Sequence, residues 1–206
     1  MPFAHVIRTP DELYDTYAEP EDGVRAKAVV TFDEHCRGYI ALSPFVLVAT
    51  ADADGNCDVS PRGGSPGFVS VIDDTRLAIP DASGNNRLDS LRNIVQGGRI
   101  GLLFMIPGMA ETLRVNGRAC ISTDPELLAQ HVSQGKPAKA VIGVDLDEAF
   151  LHCAKAFMRS TLWDPASWPD RSGLARPAQI WKDHIGMPDP IEEVETWLAD
   201  DYANNL

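Results

Sequence analysis

The sequence predicts an α+β protein: a small, mostly antiparallel β-barrel with helices on both flanks. Short apolar or alternating segments, about six in all, crowd into residues 45–146 between turn pairs such as Asp54-Gly55 and Asp73-Asp74. Only one short helical pattern interrupts them, so strand and long helix do not alternate as in a doubly wound sheet. With 16 Gly and 15 Pro in 206 residues, the chain is rich in turns. Its length suits one domain over 1–206, divided into a helical N-terminal extension (1–42), the barrel (43–146) and a helical C-terminal extension (147–206).

The elements follow in order. Thr9-Pro-Asp-Glu12 is a capping box with Pro10 at the first helical position, and Leu13 and Tyr17 share a helical spacing. A second helix is expected from about Thr31 to Leu42, stopped by Ser43-Pro44. Phe45–Thr50 is β-branched and apolar, and Cys57–Arg62 returns from the Asp54-Gly55 turn with Pro61 marking an edge or a bulge. Phe68–Ile72 and Leu77–Pro80 are further strands. After the polar loop 83–87 comes a short helix whose buried face is read as Leu88, Leu91 and Val95. Arg99–Ile106 is a buried strand, and Thr112–Ser122 another, with Asn116-Gly117 as a bulge signal. A capped helix opens at Thr123-Asp-Pro-Glu126 and runs to about Ser133; Ala138–Leu146 is the last strand. Glu148–Ser160 reads as a helix with Leu151, Ala154, Phe157 and Met158 as its stripe, and an acidic amphipathic helix covers 190–198 beyond a Pro-rich tail.

Composition narrows the function. A net charge of −12 and a pI near 4.7 disfavour nucleic acid and anionic membrane surfaces as partners, leaving small molecules and proteins. The start of the chain lacks an apolar leader, and no apolar run approaches the ~20 residues of a membrane span. Four cysteines without a CxxC spacing read as reduced thiols, so the expected location is cytoplasmic. His35-Cys36 and His152-Cys153 are adjacent pairs that cannot chelate one metal well, and no metal is expected.

Charge is uneven along the chain. Residues 62–118 hold seven Arg and no Lys against five acids, so this segment is positive inside an acidic protein. Arg is the residue whose planar fork grips phosphate or carboxylate. The loop Ser83-Gly84-Asn85-Asn86-Arg87 lies between a strand and a helix start, where free backbone N–H groups and a positive dipole end make a phosphate seat; an ordinary Asn-capped turn is the plainer alternative. Neither GxxxxGK[ST] nor GxGxxG is present. Ser60-Pro-Arg62-Gly63-Gly64 brings a cation and bare backbone to the barrel rim. Lys155 and Arg159 stand one helical turn apart, followed by Trp163; they either bind an anionic substrate or electron donor or simply face solvent.

Several motifs in this order carry a family resemblance: Asp-Val-Ser-Pro-Arg-Gly at 58–63, Pro-Gly-Phe-Val at 66–69, Ile-Pro-Asp at 79–81, Gly-Asn-Asn-Arg-Leu-Asp-Ser-Leu at 84–91 and Glu-Thr-Leu-Arg-Val-Asn-Gly-Arg-Ala at 111–119. Together they resemble the pyridoxamine 5′-phosphate oxidase-related flavoproteins, over roughly 42–163 once His152–Trp163 is included. The resemblance implies a split β-barrel that binds FMN as a homodimer and acts as a two-electron oxidoreductase. It puts Ser60, Arg62 and Gly63 along the flavin and its ribityl chain, and the main chain of Ile79 and Pro80 along the ring. It puts Asn85, Asn86 and Arg87 at the phosphate, and Thr112 against the flavin of the partner subunit. Asn86 departs from the Arg-Lys phosphate pair of the true oxidase, and the oxidase's C-terminal Trp and Arg-x-His substrate motif is missing. Alternatives on the same barrel are a non-catalytic haem or tetrapyrrole binder and a reductase that uses the deazaflavin F420. No acid–base dyad stands out, and catalytic residues are not assigned.

Overall fold

Val46, Val48 and Thr50 are buried within Phe45–Ala51 (β1), while the residues between them face the other way. This two-residue period gives the strand one packed face. The computed structural model describes residues 3–82, 84, 86–133 and 136–204. In it β1 lies between Cys57–Gly63 (β2) and Arg99–Met105 (β5). Counting Ser70–Val71 as β3, Arg76–Asp81 as β4, Thr112–Ser122 as β6 and Ala140–His152 as β9, the sheet order is β2-β1-β5-β6-β9-β4-β3. Val132–Ser133 (β7) and Lys136–Pro137 (β8) form a separate two-stranded pair. The pairings of the seven-stranded sheet are antiparallel, and β2 and β3 share no ladder. The barrel is therefore split along one seam. Its interior is filled by Val46, Val48, Leu102, Phe104, Val115, Ile79 and Ile142, all 0–2% exposed.

Three short helices precede β1: Pro10–Tyr14 (α1), Asp22–Ala26 (α2) and Glu34–Leu42 (α3). Thr9 caps α1 as expected, its hydroxyl accepting from the Glu12 N–H at 3.3 Å; the Glu12 carboxylate reaches back to the N–H of Arg8 instead of Thr9. α1 ends at Tyr14, so Leu13 and Tyr17 do not share a helix face. Asp33 caps α3, and Phe32, Tyr39 and Ile40 close one end of the core. Pro61 lies in β2, an edge strand, where its missing N–H costs no ladder bond.

At the expected bulge, the β6–β9 register shifts between Asn116 and Gly117. A Cβ on Gly117 would overlap the Asp145 carbonyl, so only glycine fits. β9 runs on to His152, which corrects the helix expected over 148–160; only Lys155–Ser160 (α6) is helical. Residues 148–152 pair with the first half of β6, and Ala149 exchanges two backbone bonds with Val29 on its other side, at 2.8 and 2.9 Å. Backbone pairing on both edges outweighs the helical stripe, whose Leu151 and Met158 stay exposed.

The helix Asp89–Gly97 (α4) forms where expected with a different buried face. Leu88 and Val95 are 45% and 75% exposed, while Ser90, Asn93 and Ile94 are buried. Polar bonds set this rotation: Ser90 donates to Asp58 on β2, and the Asn93 amide donates to Thr50 on β1 at 3.0 Å. Phe68–Ile72 yields only the two-residue β3. Pro125–Ala129 (α5) is shorter than expected and is capped by Asp124. Beyond a 3-10 turn at Pro165–Ser167, Pro177–Ile185 (α7) and Ile191–Asn204 (α8) pair through stacked Trp181 and Trp197 rings 4.9 Å apart. α7 was hidden in what reads as a Pro-rich tail. No helix among the described residues is long and apolar enough to cross a membrane.

Candidate cofactor cleft

Asp58, Ser60 and Arg62 alternate along β2 opposite Thr50, Val48 and Val46, so they project from the inner face of the sheet at its open edge. Across the seam β4 ends in Pro80 and Asp81. Arg62 Nε stands 3.6 Å from Asp81 Oδ1, both side chains being largely buried, and this ion pair ties the two edges together. Between them lies a cleft of about 1430 Å³. The Gly63–Phe68 turn, the 86–91 segment, Gly84, Ser70, His131 and Lys139 complete its walls.

Six of the expected cofactor residues meet there: Ser60, Arg62, Gly63, Pro80, Asn86 and Arg87. Asn85 and Ser83 lie outside the described residues. The Ile79 side chain is fully buried in the core, and only its backbone, paired with Ile142, runs beside the cleft residue Pro80. Thr112 is buried at the far end of β6, opposite His152 and away from the cleft. Lys155 and Arg159 are exposed on α6 and do not line the cleft. Trp163 stacks on Phe157 and donates its indole N–H to the Met109 carbonyl at 2.8 Å. In the single chain it packs against the barrel end.

The approach to α4 is conformationally unusual. Asn86 and Leu88 both have positive φ, 55° and 62°. This left-handed conformation costs Leu88 roughly 1–2 kcal/mol, whereas Asn86 adopts it readily. The N-cap is Leu88, which offers no side-chain oxygen, and among the described residues no side chain caps the first-turn N–H groups of Asp89, Ser90 and Leu91. All three residues line the cleft. Oriented free N–H groups at a helix start form an anion seat.

Side-chain charges in the cleft are mixed. Arg87 Nε contacts Asp89 Oδ2 at 2.5 Å, and Lys139 Nζ lies 3.4 Å from Asn86 Oδ1. Asp58 accepts from Ser90. Burial pushes the Asp81 carboxyl above its ordinary range, against the pull of Arg62 and Lys139. His131 is 4% exposed and held at both nitrogens: Nδ1 lies 2.8 Å from the Leu127 carbonyl and Nε2 3.1 Å from the Ser70 hydroxyl. A carbonyl only accepts, so the proton belongs on Nδ1 and Nε2 accepts from Ser70. The contributions of Asp58, Asp81, Asp89, His131 and Lys139 were missed. Asp58 was legible from its alternation with Ser60 and Arg62. His131 and Lys139 carry no local signal, because chain reversal at β7–β8 brings them to the seam.

No curated protein matches the chain. Among solved structures, HupZ of Group A Streptococcus aligns at 20% identity and a TM-score of 0.49, covering 58% of this chain and 92% of that one. General Stress Protein 26 of Bacillus anthracis aligns at 13% and 0.42, covering 57% and 94%. A Clostridium acetobutylicum protein related to general stress protein 26 aligns at 13% and 0.44, covering 59% and 87%. The family model described as pyridoxamine 5′-phosphate oxidase matches residues 32–153, more than half of the chain, and the chain belongs to that family.

Proposed function

We propose that the protein binds FMN in the cleft between β2 and β4, as a homodimer, and acts as an FMN-dependent two-electron oxidoreductase. The observation that carries this is the phosphate seat: an α4 first turn that no described side chain caps, reached through left-handed Asn86 and Leu88, with Arg87 beside it. Asn86 stands where the true oxidase has a cation, and Lys139 makes good that loss from the other side of the cleft, its Nζ 3.4 Å from the Asn86 amide oxygen. Ser60 and Arg62 supply donors along the inner face for the ribityl chain and the polar edge of the ring, and the Ile79–Pro80 backbone offers a flat wall. The donor set therefore fits FMN: phosphate at one end, an apolar backbone wall, and a half-hidden guanidinium at the other. Bound FMN supplies hydride-equivalent chemistry that the side chains alone lack. His131 is the imidazole that lines the cleft, and both its nitrogens are engaged, so a tetrapyrrole there would have to break its Ser70 bond or take another axial ligand.

The cleft exceeds the roughly 300–1,000 Å³ usual for small ligands, because one side is open. The outer faces of β1 and β5 present half-buried Leu47, Leu103 and Met105 beside Val59, which is 60% exposed. A second copy on this apolar face would close the site and cover that surface. Only in such an assembly do Thr112, Lys155, Arg159 and Trp163 reach a flavin or an anionic substrate or electron donor. Four free cysteines support a cytoplasmic location.

The test is a titration of purified protein with FMN and with riboflavin, followed by flavin absorbance and by light scattering. The expected result is a dimer binding FMN at least tenfold more tightly than riboflavin. Equal affinity for the two would remove the phosphate seat, and a Soret band in purified protein would replace flavin by haem.

A further inference from the structure

A second group of cations lies on the face of β6 and β9 turned away from the barrel interior. Arg114 and Phe150 oppose each other across the ladder, while Leu113 and Val115 point the other way into the core. Arg114 Cζ is 5.4 Å from the Phe150 ring centroid. Lys27, just beyond α2, brings Nζ to 5.1 Å from the same centroid and donates to the Leu151 carbonyl at 3.0 Å. The Val29–Ala149 bridge fixes that approach. The His152 ring centroid is 6.4 Å from that of Phe150.

Three basic side chains thus converge on one aromatic ring in a chain of net charge −12. Arg37, Arg76, Arg87, Arg99 and Arg176 each bridge a carboxylate at 2.5–2.7 Å, whereas Arg8, Arg25, Arg92 and Arg159 have no such partner among the described residues but do not gather on one ring. Among the described residues, no carboxylate lies within ion-pair distance of Lys27, Arg114 or His152. The next acid along that face, Glu148, is held by the Asn116 amide at 2.8 Å. Cation–π contact offsets part of the repulsion, yet converging like charges remain costly without an anion between them.

We propose that Lys27, Arg114 and His152, arranged around Phe150, form a binding site for the dianionic phosphate group of a small phosphomonoester. An ammonium, a guanidinium fork and an imidazole N–H together offer more donors than a planar carboxylate needs, which suits a tetrahedral group with three acceptor oxygens. Two fixed cations match its charge. The site is separate from the chain's own cleft, because Arg62 and Ser60 project from the opposite face of the sheet; it shares its face with Thr112, which lies opposite His152, so in the proposed dimer it borders the partner's flavin.

His152 is a built-in reporter. The charged groups facing it are Arg114 from β6 and Lys27 from the segment after α2; with burial first, they hold its pKa below the ordinary imidazole value. A bound dianion reverses their field and raises that pKa, so binding takes up a proton. The experiment follows the imidazole resonances of the full chain by NMR across pH, with millimolar inorganic phosphate or sodium chloride of equal ionic strength. Phosphate is expected to raise the His152 pKa by at least about 0.5 unit over the chloride control. In Lys27→Met with Arg114→Met, that response is expected to vanish, and the resting pKa to rise. Should the double variant fail to fold, Lys27→Met alone, at an exposed position, is expected to halve the response. A His152 pKa that phosphate moves no more than chloride does, or a response unchanged in the variant, overturns the site.

Discussion

Cations gather at two places in this acidic chain, and the two gatherings are built differently. In the cleft each has an oxygen of its own beside it: Arg62 has Asp81, Arg87 has Asp89, and Lys139 has the Asn86 amide. On the outer face Lys27, Arg114 and His152 surround one phenyl ring, Lys27 alone donates to a backbone carbonyl, and among the described residues none of the three has a carboxylate beside it. The cleft is thus oriented but close to neutral, and its preference for anions comes from backbone N–H groups at α4. The outer face has surplus charge with little to orient it. The first arrangement favours selectivity and salt tolerance, the second weaker binding that salt screens. Counting Arg in 62–118 treats both as one feature, yet Arg114 belongs to one face and Arg62 to the other.

Both places depend on the bulge in β6, which gives the largest expected effect. Gly117→Ala puts a methyl group into the Asp145 carbonyl in the middle of the longest ladder. The strands cannot separate without losing both the Ala140–Lys139 side of the cleft and the Arg114–Phe150 pair. A loss of about 3 kcal/mol or more is expected by denaturant unfolding, with both binding activities reduced together. If Gly117→Ala unfolds with wild-type midpoint, the bulge is soft and the two regions are mechanically independent.

Charge pairing in the cleft makes a prediction of opposite signs. Arg87→Ala removes a charge-assisted contact, so FMN affinity is expected to fall by roughly tenfold while riboflavin affinity holds. Asp89→Asn removes the carboxylate that competes for the same guanidinium and should tighten FMN binding severalfold. Calorimetric titration of both variants decides. Two losses of equal size would mean that the pair shapes the loop and that neither partner touches phosphate.

Asp81 gives a smaller, pH-dependent effect. Its carboxyl is raised in the folded chain by burial, so above the unfolded value of 3.8 the folded state holds the proton more firmly than the unfolded one. Its contribution to stability therefore falls as pH rises from 3.8 through the folded pKa, and stays lost above it. Asp81→Asn should flatten that part of the stability–pH curve and leave the outer-face site unchanged. A curve of unaltered shape would show that the Arg62 pair fully compensates for burial.

Legibility differed between regions for physical reasons. Strand positions, the Thr9 cap, the edge placement of Pro61 and the Asn116–Gly117 bulge rest on local rules of period and backbone shape, and they appear in the structure. The buried face of α4 was misread because it is polar: Ser90 and Asn93 are buried by bonds to Asp58 and Thr50, residues more than thirty positions away. The extension of β9 through His152 was missed because its two partners, β6 and Val29, are remote in sequence, whereas the stripe from Leu151 to Met158 is local. The β2 and loop side of the cleft was readable; Lys139 and His131 were not. The outer-face cluster joins residue 27 to residues 114 and 152, and no periodicity links such positions.

Thiols sit beside both regions and yield the smallest effect, with an internal reference. Cys57 opens β2 next to Asp58 of the cleft, and Cys153 follows His152 of the outer face; both are exposed, as is Cys120. Cys36 is buried in α3, and burial, with Asp33 nearby, pushes its thiol up to about 11 from 9.0. Alkylation at pH 8 with mass readout should therefore label three cysteines quickly and spare Cys36, whose thiolate is scarce and shielded. FMN in the cleft should slow Cys57 relative to Cys120, and phosphate on the outer face should slow Cys153 relative to Cys120 without slowing Cys57. Above pH 9 the unfolded thiol ionises while the folded one keeps its proton, so stability falls between pH 9 and about 11. Cys36→Ala should lessen that fall while costing about 1 kcal/mol at neutral pH for the buried volume it removes. Rapid labelling of Cys36 at pH 8 would mean that α3 opens locally. The exposed thiols would then report the motion of that helix, and the separation of cleft from outer face would have to be tested by NMR alone.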